Sequence, residues 1–254
     1  MHTNLMTFPF SSELRNVYLR TFKRQYWQEH VWSRRQFYAR FIKRGSLVFD
    51  IGANIGDYSR CFLSLGARVV AVEPLPSTVE ILQKTLRPKN RVHIVSAAVG
   101  ADFSNAVLHV SSETTLCTLS DQWLGTAKQS GRFSDVDWSS DINVPVIPIH
   151  SLASEYGQPD FIKIDVEGFE GQVLDGLRDF PPALSFEFNT EIPDAVIACL
   201  HKPCFSEASK FAFHFGEPKN ESLSRWMTRH EMMAEVPKVC RAHRTFGDIV
   251  ALRR

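Results

Sequence analysis

The sequence predicts an α/β fold, a doubly wound and mostly parallel sheet of about seven strands with helices on both faces and a helical extension at the N-terminus. Three observations predict it. From Leu47 onward, strand-like apolar runs alternate with helical stretches, the pattern of a parallel sheet covered on both sides. The first run, Val48-Phe49-Asp50-Ile51, ends in a small-residue turn, Gly52-Ala53-Asn54-Ile55-Gly56-Asp57, that opens a helix, as ligand-binding turns of open sheets do. A chain of 254 residues with 44% hydrophobic and 22% charged content is long enough for one such domain with small additions.

Residues 12–44 read as helix, because Leu14, Val17, Tyr18 and later Phe37, Tyr38, Phe41 and Ile42 recur at three- and four-residue spacing, with Ser11 or Ser12 as cap. The stretch is basic, with Arg34, Arg35, Arg40, Lys43 and Arg44 following earlier cations, and Tyr26, Trp27 and Trp32 lie among them. It reads either as a surface for a phosphorylated substrate, lipid or partner, or as helices packed over the fold with a solvated cationic face. Gly45 ends it, dividing an extension (1–44) from the main domain (45–254).

In the main domain, strands are expected at Leu47–Asp50, Arg68–Glu73 and Val92–Val99, with helices at Tyr58–Leu65 and Ser77–Leu86 between them. Ala106–Val110 and Val144–Ile149 suggest a hairpin addition around a polar segment, 111–143, expected to be a mobile loop near the active site. Trp123, Phe133 and Trp138 are candidate substrate contacts there, or simply pin the loop down. A fourth strand at Phe161–Val166, a helix at Phe169–Leu177 and a fifth strand at Ala183–Phe188 follow. A helix at Ala195–Leu200, a strand at Phe211–Phe215, a polar or helical stretch at Ser222–Ala234 and a closing strand at Asp248–Leu252 complete the chain.

Charge and cysteine usage remove several classes. A formal net charge of +1 gives no global reason to expect nucleic acid or an anionic membrane. Five cysteines without a C-x-x-C pair indicate neither a disulfide framework nor a zinc ribbon, which fits a reducing cytoplasm. No run approaches the roughly 18 apolar residues of a membrane span, and no signal peptide is visible. Assembly into a homo-oligomer is left open.

The turn selects its ligand by what it lacks. The spacing Gly52-x-x-x-Gly56 is neither the dinucleotide fingerprint G-x-G-x-x-G nor the phosphate loop of nucleoside triphosphatases. What remains is Asp50 at the first strand end and Glu73 at the second, where a carboxylate can accept both hydroxyls of a ribose. S-adenosylmethionine is a nucleoside without phosphates, and its sulfonium and amino groups are cationic. Asp50, Asp57, Glu73 and Asp165 would complement it and repel a pyrophosphate.

Three segments, Phe49-Asp50-Ile51-Gly52-Ala53-Asn54-Ile55-Gly56, Val72-Glu73-Pro74 and Phe161-Ile162-Lys163-Ile164-Asp165-Val166-Glu167-Gly168-Phe169-Glu170, resemble the FkbM family of S-adenosylmethionine-dependent methyltransferases over about Leu47–Asn189. The resemblance implies a class I methyltransferase fold, Rossmann-like, and transfer of a methyl group, usually to an oxygen of a sugar or a secondary metabolite. Asp50, Gly52, Asn54, Gly56, Asp57, Glu73 and Ala98 are expected to bind the cofactor. Where the family commonly has a Thr-Leu-Asp-like element, this chain reads His150-Ser151-Leu152, so His150 is either a substitute polar group or a local loop residue.

For the chemistry, Asp165 is the leading general base, because it ends the fourth strand at the crevice where open sheets place their ligands. Glu167 is a second catalytic candidate or a helix cap, Glu170 a first-turn dipole partner, and Lys163 a counter-ion for one of these acids. Asp165, Glu187 and Asn189, on adjacent strand ends, are an alternative ligand set for Mg²⁺. His214 and His243 could reach the same rim. The expected partner is a small-molecule or glycan acceptor, with no nucleic acid. Nitrogen methylation, a lipid-linked glycan acceptor and a non-catalytic cofactor-binding protein are the competing readings, and a nicotinamide oxidoreductase is disfavoured by the missing third glycine.

Overall fold

The computed structural model describes residues 32–218, 223–243 and 245–253. The helical reading of 12–31, including Tyr26 and Trp27, lies outside the described residues, as does Ser222. A helix over 32–38 (α1) leads through a turn into β1 (Leu47–Ile51), followed by α2 (Asp57–Ser64), β2 (Arg68–Val72), α3 (Pro76–Thr85) and β3 (Val92–Val95). The chain then makes β4 (Ala98–Gly100), β5 (Ser104–Val110), α4 (Asp121–Ser130), β6 (Ser140–Pro148) and α5 (Ile149–Tyr156). It returns through β7 (Phe161–Ile164), α6 (Glu170–Asp175), β8 (Ala183–Asn189), α7 (Pro193–Leu200), β9 (Lys210–Phe215), α8 (Arg229–Ala242) and β10 (Phe246–Leu252).

The main sheet has seven strands in the order β3-β2-β1-β7-β8-β10-β9. Only β10 runs against the others, antiparallel to β8 and β9. Strand β1 is buried along its whole length, and the two-residue period of the pleat divides it between two cores. Leu47, Phe49 and Ile51 pack with Val70, Ile162 and Phe186, while Val48 faces the other way onto Phe62, Phe161 and Val250. Each fully buried Phe among these contributes about 1.5–3 kcal/mol relative to exposure.

Phe37, Tyr38 and Ile42 belong to the second core, so α1 is part of the fold's packing. Their i, i+1, i+5 spacing comes from the apolar periodicity already visible in the sequence. At the strand crossover between β1 and β7 the connections depart in opposite directions, which opens a crevice at the C-terminal strand ends.

Three sequence expectations change. The expected strand Val92–Val99 is two strands: β3 pairs with β2, then the chain leaves the main sheet and β4 pairs with β6. Apolar alternation continues through a change of partner, so the pattern could not reveal it. The hairpin β5–β6 is present, and with β4 it forms a separate three-stranded sheet, β4-β6-β5. The 111–143 segment contains α4, started by Ser120 accepting from the Trp123 amide (3.1 Å) and stopped by Gly131 at φ 70°. Finally, α8 begins at a Thr228–Glu231 capping box inside the stretch read as polar or helical and runs on past its expected end at Ala234 to Ala242.

Candidate active site

A cavity of about 440 Å³ lies at the C-terminal ends of β1, β2, β7 and β8. Its volume suits a nucleoside-sized ligand with a small second reactant. Among the described residues its wall carries seven carboxylates, Asp57, Glu73, Glu113, Asp165, Glu167, Glu187 and Glu217, against two guanidiniums, Arg34 and Arg132.

At one end is the β1–α2 turn. Gly52 has φ 82°, and a Cβ there would sit 1.8 Å from the Asp165 carbonyl oxygen, so only glycine lets β1 and β7 close together. Asn54 is left-handed at φ 45°, and Gly56 at φ 91° starts α2. Every amide of the turn is used within the protein. Gly52 and Ala53 donate to the Val72 carbonyl (both 3.0 Å), Asn54 to Glu73 Oε2 (2.8 Å), Ile55 to the Asn54 side chain (2.6 Å), and Gly56 to Ala53 (2.8 Å). A phosphate-binding turn needs such amides free.

Glu73 is buried and accepts a second amide, that of Leu75, at 2.9 Å on its other oxygen. Burial raises its pKa, opposed by these amides. Its carboxylate lines the cavity, where it can accept hydroxyls of a vicinal diol. Asn54, Gly52 and Ala98 line the same end. Asp57 also lines the cavity, paired with Arg60 at 2.5 Å.

Three further acids of the wall converge. Carboxylate oxygens of Asp165, Glu167 and Glu187 lie within 4.8 Å of one another. Burial, then repulsion from Asp165 and Glu170, drives the Glu167 pKa well above the usual carboxylate range; burial, then Glu167 and Asp165, does the same for Glu187. Asp165 is raised by burial as well, with the Lys163 ammonium opposing. Glu167 adopts φ 51°, its carbonyl held by the Thr118 hydroxyl at 2.6 Å. Glu170 ties this loop down by accepting the amides of Val166 (3.1 Å) and Gly168 (3.2 Å).

Beneath the acids Lys163 is fully buried in β7, its ammonium 3.0 Å from Asp165 and 3.1 Å from Asp248 in β10. It also faces the Tyr58 ring at 4.8 Å. Burial alone would raise Asp248, but Lys163 and His214 outweigh it and hold the carboxyl well below its ordinary value. His214 Nε2 lies 3.4 Å and the Tyr38 hydroxyl 3.5 Å from Asp248.

The sequence-derived residues therefore divide. Gly52, Asn54, Gly56, Asp57, Glu73, Ala98, Asp165 and Glu167 cluster at the cavity, Gly56 by shaping the turn behind it. Asp50 is buried below the turn, accepting the Ser59 hydroxyl at 2.5 Å, and supports the site without lining it. Of the alternative metal set, Asp165 and Glu187 join Glu167, whereas Asn189 donates to Glu187 at 3.4 Å. Phe133 lines the cavity, while Trp123 is buried against Phe133 and Trp138, and Trp138 donates to the Leu116 carbonyl. His150 lies in α5 near Gly176, His214 lies below the site, and His243 packs on Phe215.

Asp248, Arg34 and Glu217 were not read as site residues. A signal for Asp248 existed: Lys163 and Asp248 are lone opposite charges inside two otherwise apolar strands, and buried charges must be paired. Among the described residues no helix is long and apolar enough to cross a membrane. All five cysteines are free.

None of the curated proteins matches the chain. Solved structures with a related fold include the precorrin-6Y C5,15-methyltransferase of Geobacter metallireducens GS-15 (13% identity, 84% of this chain and 82% of that chain covered, TM-score 0.41). The C-terminal domain of the Rhodobacter capsulatus precorrin-6Y C5,15-methyltransferase (13%, 85% and 85%, 0.40) and an rRNA methylase from Streptococcus thermophilus (10%, 86% and 93%, 0.43) are similar to a comparable degree. These distant likenesses carry no inference about substrate. The profile of the methyltransferase FkbM domain matches residues 50–232, from the acid of the first strand into α8. With its match over more than half of its length, the chain belongs to the FkbM methyltransferase domain family.

Proposed function

We propose that this methyltransferase acts on a hydroxyl of a sugar or a secondary-metabolite acceptor. The observation that carries the reading is the carboxylate trio of Asp165, Glu167 and Glu187 in the same cavity that Glu73 lines. When bound, S-adenosylmethionine supplies an electrophilic methyl carbon on a sulfonium. Glu73, Gly52, Asn54 and Ala98 would hold its nucleoside end. Asp165 would take the acceptor's hydroxyl proton, leaving the oxygen as the nucleophile toward that methyl. Positioned general bases contribute about 10²–10⁴-fold, and alignment of the reactants supplies much of the rest.

An alcohol must lose its proton on methylation, and Asp165, beside the Lys163 ammonium at 3.0 Å, supplies a carboxylate to take it. Asn189, Glu167 and Glu187 provide further partners for a polyhydroxylated ring, and Phe133 and Phe246 also line the cavity. A lipid-linked glycan fits the same chemistry through the basic N-terminal stretch.

A second reading adds Mg²⁺, since three hard oxygen ligands lie close together. Turnover that is lost in chelator and restored by magnesium would establish it. The main reading is tested by supplying cofactor labelled in its methyl group to panels of sugars, nucleotide sugars and hydroxylated metabolites. Label is expected in hydroxylated acceptors; incorporation confined to amines would overturn the reading.

A further inference from the structure

We propose that Arg34 is the receptor for the α-carboxylate of the methionine moiety of S-adenosylmethionine. The inference rests on the cofactor reading above and adds the group that recognises the ligand's one negative charge.

The need follows from charge. The cavity wall is overwhelmingly acidic, and the ligand's sulfonium and ammonium match it. Its carboxylate does not, and beside the acids of this wall a cation is needed to receive it. Two cations are present. Arg132 pairs with Glu191, its Nη1 3.0 and 3.2 Å from the two oxygens and its guanidinium 4.8 Å over the Phe133 ring, and its side chain is the more exposed of the two, 28% against 10% for Arg34. Arg34 is the shielded candidate.

Arg34 is held but not used up. Phe37 and Tyr38, three and four residues later on α1, are fully buried and turn Arg34 toward the cavity. Its Nε donates to Glu217 Oε2 at 2.8 Å, and its guanidinium carbon lies 4.6 Å over the Tyr58 ring. Tyr58 in turn donates its hydroxyl to the same Glu217 oxygen at 3.2 Å. These contacts fix the plane of the guanidinium through one edge. The terminal amino groups have only Asp57 at 4.0 Å, too long for a hydrogen bond. A guanidinium whose plane is fixed and whose outer edge is open is preorganised for a carboxylate. Arg34 is 8% exposed, so the interaction would be shielded from bulk water.

The test is an equilibrium titration of two ligands against wild type and Arg34→Gln. One is S-adenosylhomocysteine; the other is 5′-deoxy-5′-(3-aminopropylthio)adenosine, which keeps the amine and lacks the carboxylate. A charge-assisted contact of this kind corresponds to about ten- to hundred-fold in affinity, so wild type should prefer S-adenosylhomocysteine by that factor. Arg34→Gln should remove the preference and leave the aminopropyl ligand's affinity within about two-fold. Equal binding of both ligands by wild type would overturn the inference, and that arm needs no variant to fold. Equal weakening of both ligands by Arg34→Gln would overturn it too, showing that Arg34 only pins α1. Failure of wild type to bind either ligand would instead reject the cofactor reading on which the inference rests.

Discussion

Asp165 stands between two opposing influences, and its chemistry depends on their balance. Burial and neighbouring acids push its proton affinity up, while Lys163 at 3.0 Å pulls it down. As the proposed base, Asp165 works once deprotonated, so kcat/KM should rise with pH through an acid limb lying above the ordinary carboxylate value of about 4. A pH–rate profile checks this. Asp165→Asn should lower turnover by about 10²–10⁴-fold while leaving S-adenosylhomocysteine affinity nearly unchanged, as initial rates and calorimetry would report. Lys163 has a structural duty as well. Lys163→Met strands Asp248 as an uncompensated buried charge and should destabilise the fold by about 3–5 kcal/mol in urea unfolding. Lys163→Met with Asp248→Leu should recover most of that loss, because neither charge then remains buried alone.

At the level of elements, the site depends on two close approaches that a side chain would block. The β1 turn meets the end of β7 at Gly52, so Gly52→Ala combines a backbone clash with a left-handed φ. The expected cost exceeds the roughly 1–3 kcal/mol of such strain alone, visible as a lower Tm and lost cofactor binding. Gly168 packs on Trp123 of α4, where a Cβ would lie 2.5 Å from the Trp123 Cβ. That contact explains how a helix inside a polar connecting segment holds the Glu167 loop. These approaches also mark how far the sequence could be read. The turn, Glu73 and the Asp165 strand end were legible because each is a local pattern, an acid or glycine at the end of an apolar run. Asp50, expected to bind the cofactor, lies below the turn on Ser59 and outside the cavity lining, because strand-end position does not say which side of a turn an acid faces. The partner exchange between β3 and β4 left no mark in the alternation. Arg34, Glu217 and Asp248 meet the site over 159 to 210 residues of chain, a proximity that only the tertiary fold creates.

For the whole molecule, the buried acids tie stability to pH. Asp50 is raised to about 6 and Glu170 to about 7, chiefly by burial. The unfolded chain releases these protons near pH 4, earlier than the native state does, so their contribution is fully present below that pH and is lost as pH rises towards about 7. Asp248 has the opposite sign, its contribution present above about pH 4 and lost on further acidification. Tm should therefore be highest in mildly acidic buffer and decline towards neutrality, and Glu170→Gln should flatten the decline. The acidic cavity also defines what the molecule admits. A turn whose five amides, from Gly52 to Gly56, are all committed to internal acceptors has nothing to offer a pyrophosphate, while Glu73 and the surrounding acids suit a cationic nucleoside. Parallel calorimetric titrations with S-adenosylhomocysteine and NAD measure that directly: saturable one-to-one binding of the former, weakened by Glu73→Gln, with no heat from NAD is the expected result, and saturable NAD binding would contradict it.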